Sequence, residues 1–322
     1  LVKRVDSALK LVLDLIARHI LKGFVMKILI AYDGSEHAQA ALSDLQRAGL
    51  PPAAEALVLS VAELTVPIPP LHAGAALAYT QALPLGQEDA AATAQEGLTK
   101  LQALFPGWQA QAQSAAGSPA WVIVQCADEW QPDLLIVGSQ GRSALGRVLF
   151  GSVSQQLVNE ARCSVRVGRA VTRAAPTAPR LLLALDGSAY ADAALQTVAG
   201  RHWPPGTEVR LVTAVGPFSD MTVSEFKMDM NYMQNIHQTA SELLQAQNLI
   251  VSSAIKDGDP KQLILAQADE WQADTLLLGS RGLNRFHRFW LGSVSTAVVA
   301  RAACSVEIVR TPEATNADAR QP

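Results

Sequence analysis

The chain repeats itself, and that self-similarity limits what it can fold into more than any other feature. Asp33-Gly34-Ser35 returns as Asp186-Gly187-Ser188, 153 positions on, and seven of the ten positions from 33 to 42 match at that offset. Asp128-Glu129-Trp130-Gln131 returns as Asp269-Glu270-Trp271-Gln272, 141 positions on, with fourteen identities in the 27 positions from 128 to 154. Cys163-Ser164-Val165 returns as Cys304-Ser305-Val306. The offset falls between these blocks, so repeat one carries about a dozen extra residues, near 65–86. Each repeat is about 140 residues, a normal domain length and too long for a solenoid unit.

The expected division is therefore a domain over 26–169, a linker rich in Ala, Pro and Thr, a second domain over 180–310, and a polar, mobile tail over 311–322. Residues 1–25 stand apart. Asp6, Lys10, Asp14, Arg18 and Lys22 recur every four residues, which predicts a helix with a charged stripe. Asp14 and Arg18 interrupt the apolar run a signal peptide needs. Residue 1 is Leu, and Met26 directly precedes the first expected strand, so the extension reads as a mis-called start.

Within each repeat, short apolar runs alternate with helical patterns. Strands are expected at 27–32, 56–61, 109–115, 133–138 and 163–167, and again at 180–185, 208–214, 249–256, 274–279 and 304–309. Helices are expected at 38–45, 88–104, 119–130 and 152–161. Alternating strands and helices with solidly apolar strands imply an α/β fold, a parallel sheet covered on both faces. Ligands of such sheets bind beyond the carboxyl ends of the strands, where strand order reverses.

Composition removes several function classes. A net charge of −3, from 26 Lys and Arg against 29 Asp and Glu, with 5% aromatic residues, excludes a dedicated nucleic-acid binder. No run of about eighteen apolar residues is present, so no membrane span is expected. Three cysteines without CxxC spacing point to a reducing, cytoplasmic setting. No two of the six histidines sit at helical ligand spacing, so no metal site is expected.

Two motifs carry chemistry. Asp33-Gly34-Ser35 ends the first strand, with Ser35 placed to cap the next helix. Gly138-Ser139-Gln140-Gly141, nine residues, then Gly151-Ser152-Val153-Ser154 ends the fourth. Repeat two keeps the spacing, as Gly279-Ser280-Arg281-Gly282 and then Gly292-Ser293-Val294-Ser295. Glycine lets backbone N–H groups approach an anion without Cβ interference, and a helix N-terminus favours phosphate. Ser152 and Ser154 add hydroxyl donors. Arg147 and Arg288 hold equivalent places inside the nine-residue loop. A single glycine pair would mark no more than a tight turn, with Ser152 a plain N-cap. Two full copies, each beside Asp-Gly-Ser, favour a phosphate cradle.

These motifs resemble the universal stress protein family, and the likeness covers about 26–310, as two domains in tandem. The resemblance implies two Rossmann-like domains, each a five-stranded parallel sheet of order 3-2-1-4-5. It implies an adenine nucleotide as ligand, namely ATP, which can carry Mg2+. By position, Asp33 would face the ribose or adenine. Val61 would meet adenine through its main chain. Gly138, Gly141, Gly151 and Ser152 would hold phosphates and ribose, with Val153 and Ser154 adjoining. The repeat-two counterparts are Asp186, Ala214, Gly279, Gly282, Gly292, Ser293, Val294 and Ser295. The bulky loop with Phe286, His287, Phe289 and Trp290 predicts weaker binding in repeat two. The family pairs through its last strands, so the two halves could pair within the chain, or the chain could form a homodimer. The implied role is binding and regulation. The alternatives are a slow ATP-hydrolysing or self-phosphorylating enzyme on this fold, and a nucleotide-free interaction protein. No general base is evident, and neither a His-x-Gly-His nor a Walker loop follows a strand.

Other features read plainly. Cys163 and Cys304, at strand starts, are packed small hydrophobes. Asp128-Glu129-Trp130 and its copy are helix ends with a buried indole. Met221, Met228, Met230 and Met233 form a helix packing surface or a covering segment. The four prolines within 65–86, leaving the ligand edge of the sheet, predict a stiff loop kept out of helix, a lid or a tolerated insertion.

Overall fold

The computed structural model describes residues 25–63, 73–141, 150–170, 177–216, 223–282 and 291–311, with side chains of the two longest helices from 86 and 228 onward. Repeat one runs β1 (Met26–Ala31), α1 (Glu36–Asp44), β2 (Ala54–Glu63), α2 (Ala73–Leu104), β3 (Gln109–Gly117), α3 (Pro119–Trp130), β4 (Leu134–Gly138), α4 (Ser152–Glu160) and β5 (Ser164–Gly168). Repeat two runs β6 (Arg180–Ala184), α5 (Ala189–Ala199), β7 (Glu208–Val215), α6 (Val223–Gln245), β8 (Ile250–Asp257), α7 (Pro260–Trp271), β9 (Thr275–Gly279), α8 (Ser293–Arg301) and β10 (Ser305–Val309).

The strands form one ten-stranded sheet in the order β3-β2-β1-β4-β5-β10-β9-β6-β7-β8. Each half is parallel and ordered 3-2-1-4-5, as expected. The halves meet where β5 and β10 pair antiparallel, Arg166 opposite Glu307. Central strands are buried on both faces, which is why β1 and β4 are solidly apolar: Ile28, Leu29, Leu134, Leu135 and Ile136 have no exposure. On one face the core is continuous across both halves, from Leu29 and Leu135 through Val165 and Val306 to Leu276 and Leu182. On the other face each half has its own core, around Ile30 and Leu101 and around Leu183 and Leu244. The edge strands β3 and β8 are polar and half-exposed, which discourages further strand addition.

The recurring Asp-Glu-Trp-Gln ends α3 and α7. Gln131 and Gln272 take φ of 52° as left-handed C-caps. The indoles are half-buried rather than buried, and each lies under a cation: Lys27 Nζ is 5.2 Å from the Trp130 ring centre, and the Arg210 guanidinium 4.8 Å from that of Trp271.

One expectation fails. The segment within 65–86 is not all loop: α2 begins at Ala73, and Pro84 lies inside it. The Ala-rich composition of 73–83 is strongly helix-forming and outweighs Pro84. A Cβ on Gly86 would lie 3.7 Å from the Ala62 methyl, near the carboxyl end of β2. The turns before Gly86 therefore run on past that edge, by about 20 Å at 1.5 Å per residue. Readings that fell on 1–24, on Pro67, Pro69 and Pro70, on Arg147, Arg288 and the Phe286–Trp290 loop, on Met221, and on the linker centre and the tail lie outside the described residues.

Candidate functional site

The two motifs end at the same edge of the sheet because β1 and β4 are neighbours, Ile28 to Ile30 beside Leu134 to Ile136. Past β1, the Asp33 carboxylate accepts the Ser35 N–H at 3.0 Å, Gly34 takes φ of 76°, and Ser35 Oγ accepts the Ala38 N–H at 3.2 Å as N-cap of α1. Repeat two repeats the turn with Asp186, Gly187 and Ser188.

The second motif folds back on the first. A Cβ on Gly141 would lie 3.1 Å from Asp33 Oδ2, and one on Gly282 would lie 2.6 Å from Asp186 Oδ2. The backbone at these glycines therefore passes directly against the aspartate. Gly151 turns back as well: its N–H donates to the Ser139 carbonyl at 2.8 Å, and Gly292 does the same to Ser280 at 2.9 Å. Gly151 and Gly292 are the N-caps of α4 and α8, and no side chain caps either first turn. Ser152 and Ser293 are thus exposed first-turn residues rather than N-caps. Their helix ends offer backbone N–H groups to whatever occupies the edge.

Other expected site residues have structural tasks. The Ser154 and Ser295 hydroxyls are buried and donate to the Gly138 and Gly279 carbonyls at 2.7 and 2.8 Å, so neither proton is left for a ligand. A Cβ on Gly138 would come within 2.8 Å of the His37 backbone, and one on Gly279 within 2.6 Å of Tyr190. These two glycines let α1 and α5 cross the sheet closely. Val153 and Val294 pack half-buried against the core. Val61 and Ala214 sit near the carboxyl ends of β2 and β7, half-buried, on the same edge.

A polar cluster that no sequence motif marks lies beside each site, and the clusters differ. In repeat one the Tyr32 hydroxyl donates to Glu96 at 3.0 Å, and Lys100 bonds both. Burial raises the Tyr32 phenol above its ordinary value. Gly97 was the available signal: a Cβ there would lie 2.7 Å from the Tyr32 ring, and a glycine inside a helix marks such an approach. In repeat two Leu185 takes the place of Tyr32. Thr213 donates to the Leu185 carbonyl at 2.5 Å and contacts His237 Nε2 at 2.8 Å, while His237 Nδ1 contacts Ser253 Oγ at 2.5 Å. With its proton on Leu185, Thr213 accepts from Nε2–H, and Nδ1 accepts from Ser253. Burial pushes His237 down to about 4. In repeat two a Cβ on Gly187 would lie 3.1 Å from Ile236 and 3.3 Å from Tyr232, both on α6. In the same repeat the Arg281 guanidinium reaches the Tyr190 hydroxyl at 3.3 Å. Repeat one instead has His37 Nδ1 3.3 Å from Ser139 Oγ.

The thiols bear out their plain reading. Cys163 and Cys304 pack against the core, and burial pushes their thiols up to about 11 and about 12.

The model described as "Universal stress protein family" matches the chain twice, over residues 25–169 and 178–310. A Staphylococcus aureus (strain USA300) protein of universal stress protein name is 31% identical over 147 residues, spanning 42% of this chain and 87% of its own length. Among solved structures, a universal stress protein from Archaeoglobus fulgidus DSM 4304 superposes with a TM-score of 0.62 at 24% identity, over 88% of this chain and 98% of that one. A Pseudomonas aeruginosa UCBPP-PA14 protein of the same family name superposes with a TM-score of 0.57 at 15% identity, over 91% and 96%. At those identities the likeness speaks for the fold.

Proposed function

The chain belongs to the universal stress protein family, and we propose that it binds ATP, one nucleotide per repeat, as a regulatory module of the stress response. The observation that carries this reading is the close approach of Gly141 to Asp33 beside the uncapped N-terminus of α4. A carboxylate can accept from a ribose hydroxyl. Backbone without Cβ at 141 and 151, followed by free first-turn N–H groups, suits a phosphate chain.

In this reading Asp33 and the main chain near Val61 hold the nucleoside, and Gly141, Gly151 and Ser152 hold the phosphates. Gly138, Val153 and Ser154 keep α1 and α4 in place around them. Mg2+ would ride on the triphosphate: among the described residues no three His, Cys, Asp or Glu converge on a cation site. Repeat one is the stronger site, since in repeat two Tyr232 and Ile236 crowd the Asp186-Gly187 turn and Gly282 lies nearer its aspartate. The test is to identify the nucleotide retained by purified protein, by mass spectrometry of the released small molecules, alongside thermal unfolding with added ATP. Retained adenine nucleotide and a raised Tm support the reading. An empty protein with no shift at millimolar ATP overturns it.

A further inference from the structure

The junction between the repeats is built partly by symmetry and partly against it. Arg169 and Arg310, which the 141-residue offset makes equivalent, cross the junction in the same way. Arg169 donates to the Val299 and Cys304 carbonyls at 2.6 and 3.0 Å, and Arg310 to the Val158 and Cys163 carbonyls at 2.5 and 3.3 Å. Each guanidinium thus caps the last helix of the opposite repeat, and any pairing of two such repeats would keep this clamp.

The centre is different. Arg166 and Glu307 are also equivalent by that offset, and they face each other across β5 and β10, both without exposure. Arg166 donates to Glu307 at 3.2 Å, to Asp44 at 2.7 Å and to Thr275 at 2.9 Å. Arg201 pairs with the same Glu307 and donates to the Ala48 carbonyl of repeat one at 3.0 Å. Burial alone would raise the Glu307 carboxyl, but Arg201 and Arg166 hold it below its ordinary value. Two copies of repeat one would set Arg166 against Arg166, each left with its own Asp44 alone, and Leu134 would stand where Thr275 now accepts. Two copies of repeat two would set Glu307 against Glu307, each left with its own Arg201 alone. Shape repeats the lesson. Trp203 lies on Gly49, where a Cβ would come within 2.7 Å of the indole. The repeat-two counterpart of Gly49 is His202, so Trp203 would meet an imidazole in a self-pair; the repeat-one counterpart of Trp203 is Leu50, which would leave the place over Gly49 underfilled.

We propose that β5 and β10, with Gly49 and Trp203 flanking them, form a heterotypic interface in which each repeat accepts the other and rejects a copy of itself. A buried ion pair adds little net stability over apolar packing, and fixing the partner is its better-attested use. The partner that fits the repeat-one edge carries a carboxylate at the axis and an indole beside it. Repeat two of this chain, or of a second copy of it, supplies both.

The test starts from the full chain with a protease site placed in the linker and cut after folding. Equal amounts of nitrogen-14 and nitrogen-15 protein are cut, unfolded in urea and refolded together, and native mass spectrometry counts the pairs. Wild type should give more than about nine in ten pairs as one repeat one with one repeat two. A symmetrised chain has Met at both axis positions (Arg166→Met, Glu307→Met) and the other repeat's residue at three flanking ones (Asp44→Thr, Arg201→Ala, Trp203→Leu). It should approach the random 1:2:1 ratio. Glu307→Gln alone gives a sharper signature: self-pairs of repeat two should appear while those of repeat one stay rare. Random pairing of wild type, failure of its halves to re-pair, or equal gains of both self-pairs in Glu307→Gln would overturn the proposal.

Discussion

At the residue scale, the glycines of one motif do two separable jobs. Gly138 makes room for the α1 backbone, while Gly141 makes room beside Asp33. Gly138→Val should therefore act on stability, lowering Tm by several degrees, since the added atoms meet backbone that cannot yield. Gly141→Val should leave Tm within a degree or two and remove nucleotide binding at repeat one. Measuring Tm and ATP binding for both variants checks the division, and the reverse pattern refutes it. His237 supplies a pH signature. Its folded value of about 4, set by burial, lies below the ordinary 6.5. The unfolded chain therefore takes up the proton first as pH falls, so this histidine's contribution is complete above about pH 6.5 and drains away as pH drops toward 4. The loss should reach roughly 1–3 kcal/mol. Unfolding curves between pH 7 and 4.5 should show it, and His237→Gln should flatten that limb. An unchanged slope in the variant would remove His237 from the account.

At the element scale, α2 is where repeat one departs from repeat two: it spans 32 residues against 23 for α6. Because Gly86 stands near the carboxyl end of β2, the added turns rise beside the proposed nucleotide. Replacing 64–85 with a connection of repeat-two length should speed ATP release several-fold at repeat one and leave Tm little changed. Stopped-flow release of a fluorescent ATP analogue reads this, and equal rates would make the extra turns a tolerated insertion. The central strands were legible to within two residues because solid apolar runs such as Leu134–Val137 suit a doubly covered sheet. Start of α2 was not, since local proline counting cannot weigh a helix that Ala-rich neighbours sustain on both sides of Pro84. Of the site, Asp33, Gly141 and Gly151 stood out by spacing. The work of Ser154, whose sequence context looks like that of Ser152, depended on which way a hydroxyl points once α4 packs on β4.

At the scale of the whole molecule, two repeats share one sheet, and the edge strands β5 and β10 are occupied by each other. The axis residues Arg166 and Glu307 were invisible in the sequence as a pair, because their partnership exists only once β5 and β10 run antiparallel. The same duplication brings two nucleotide-site candidates to the two ends of one molecule, alike in motif. Isothermal titration of the intact chain with ATP, repeated on Gly141→Val and Gly282→Val, tests this most directly. Saturable binding is expected in wild type, with the tighter event lost in Gly141→Val and the weaker one lost in Gly282→Val. No heat at millimolar ATP, or loss of the tighter event in Gly282→Val alone, would contradict it.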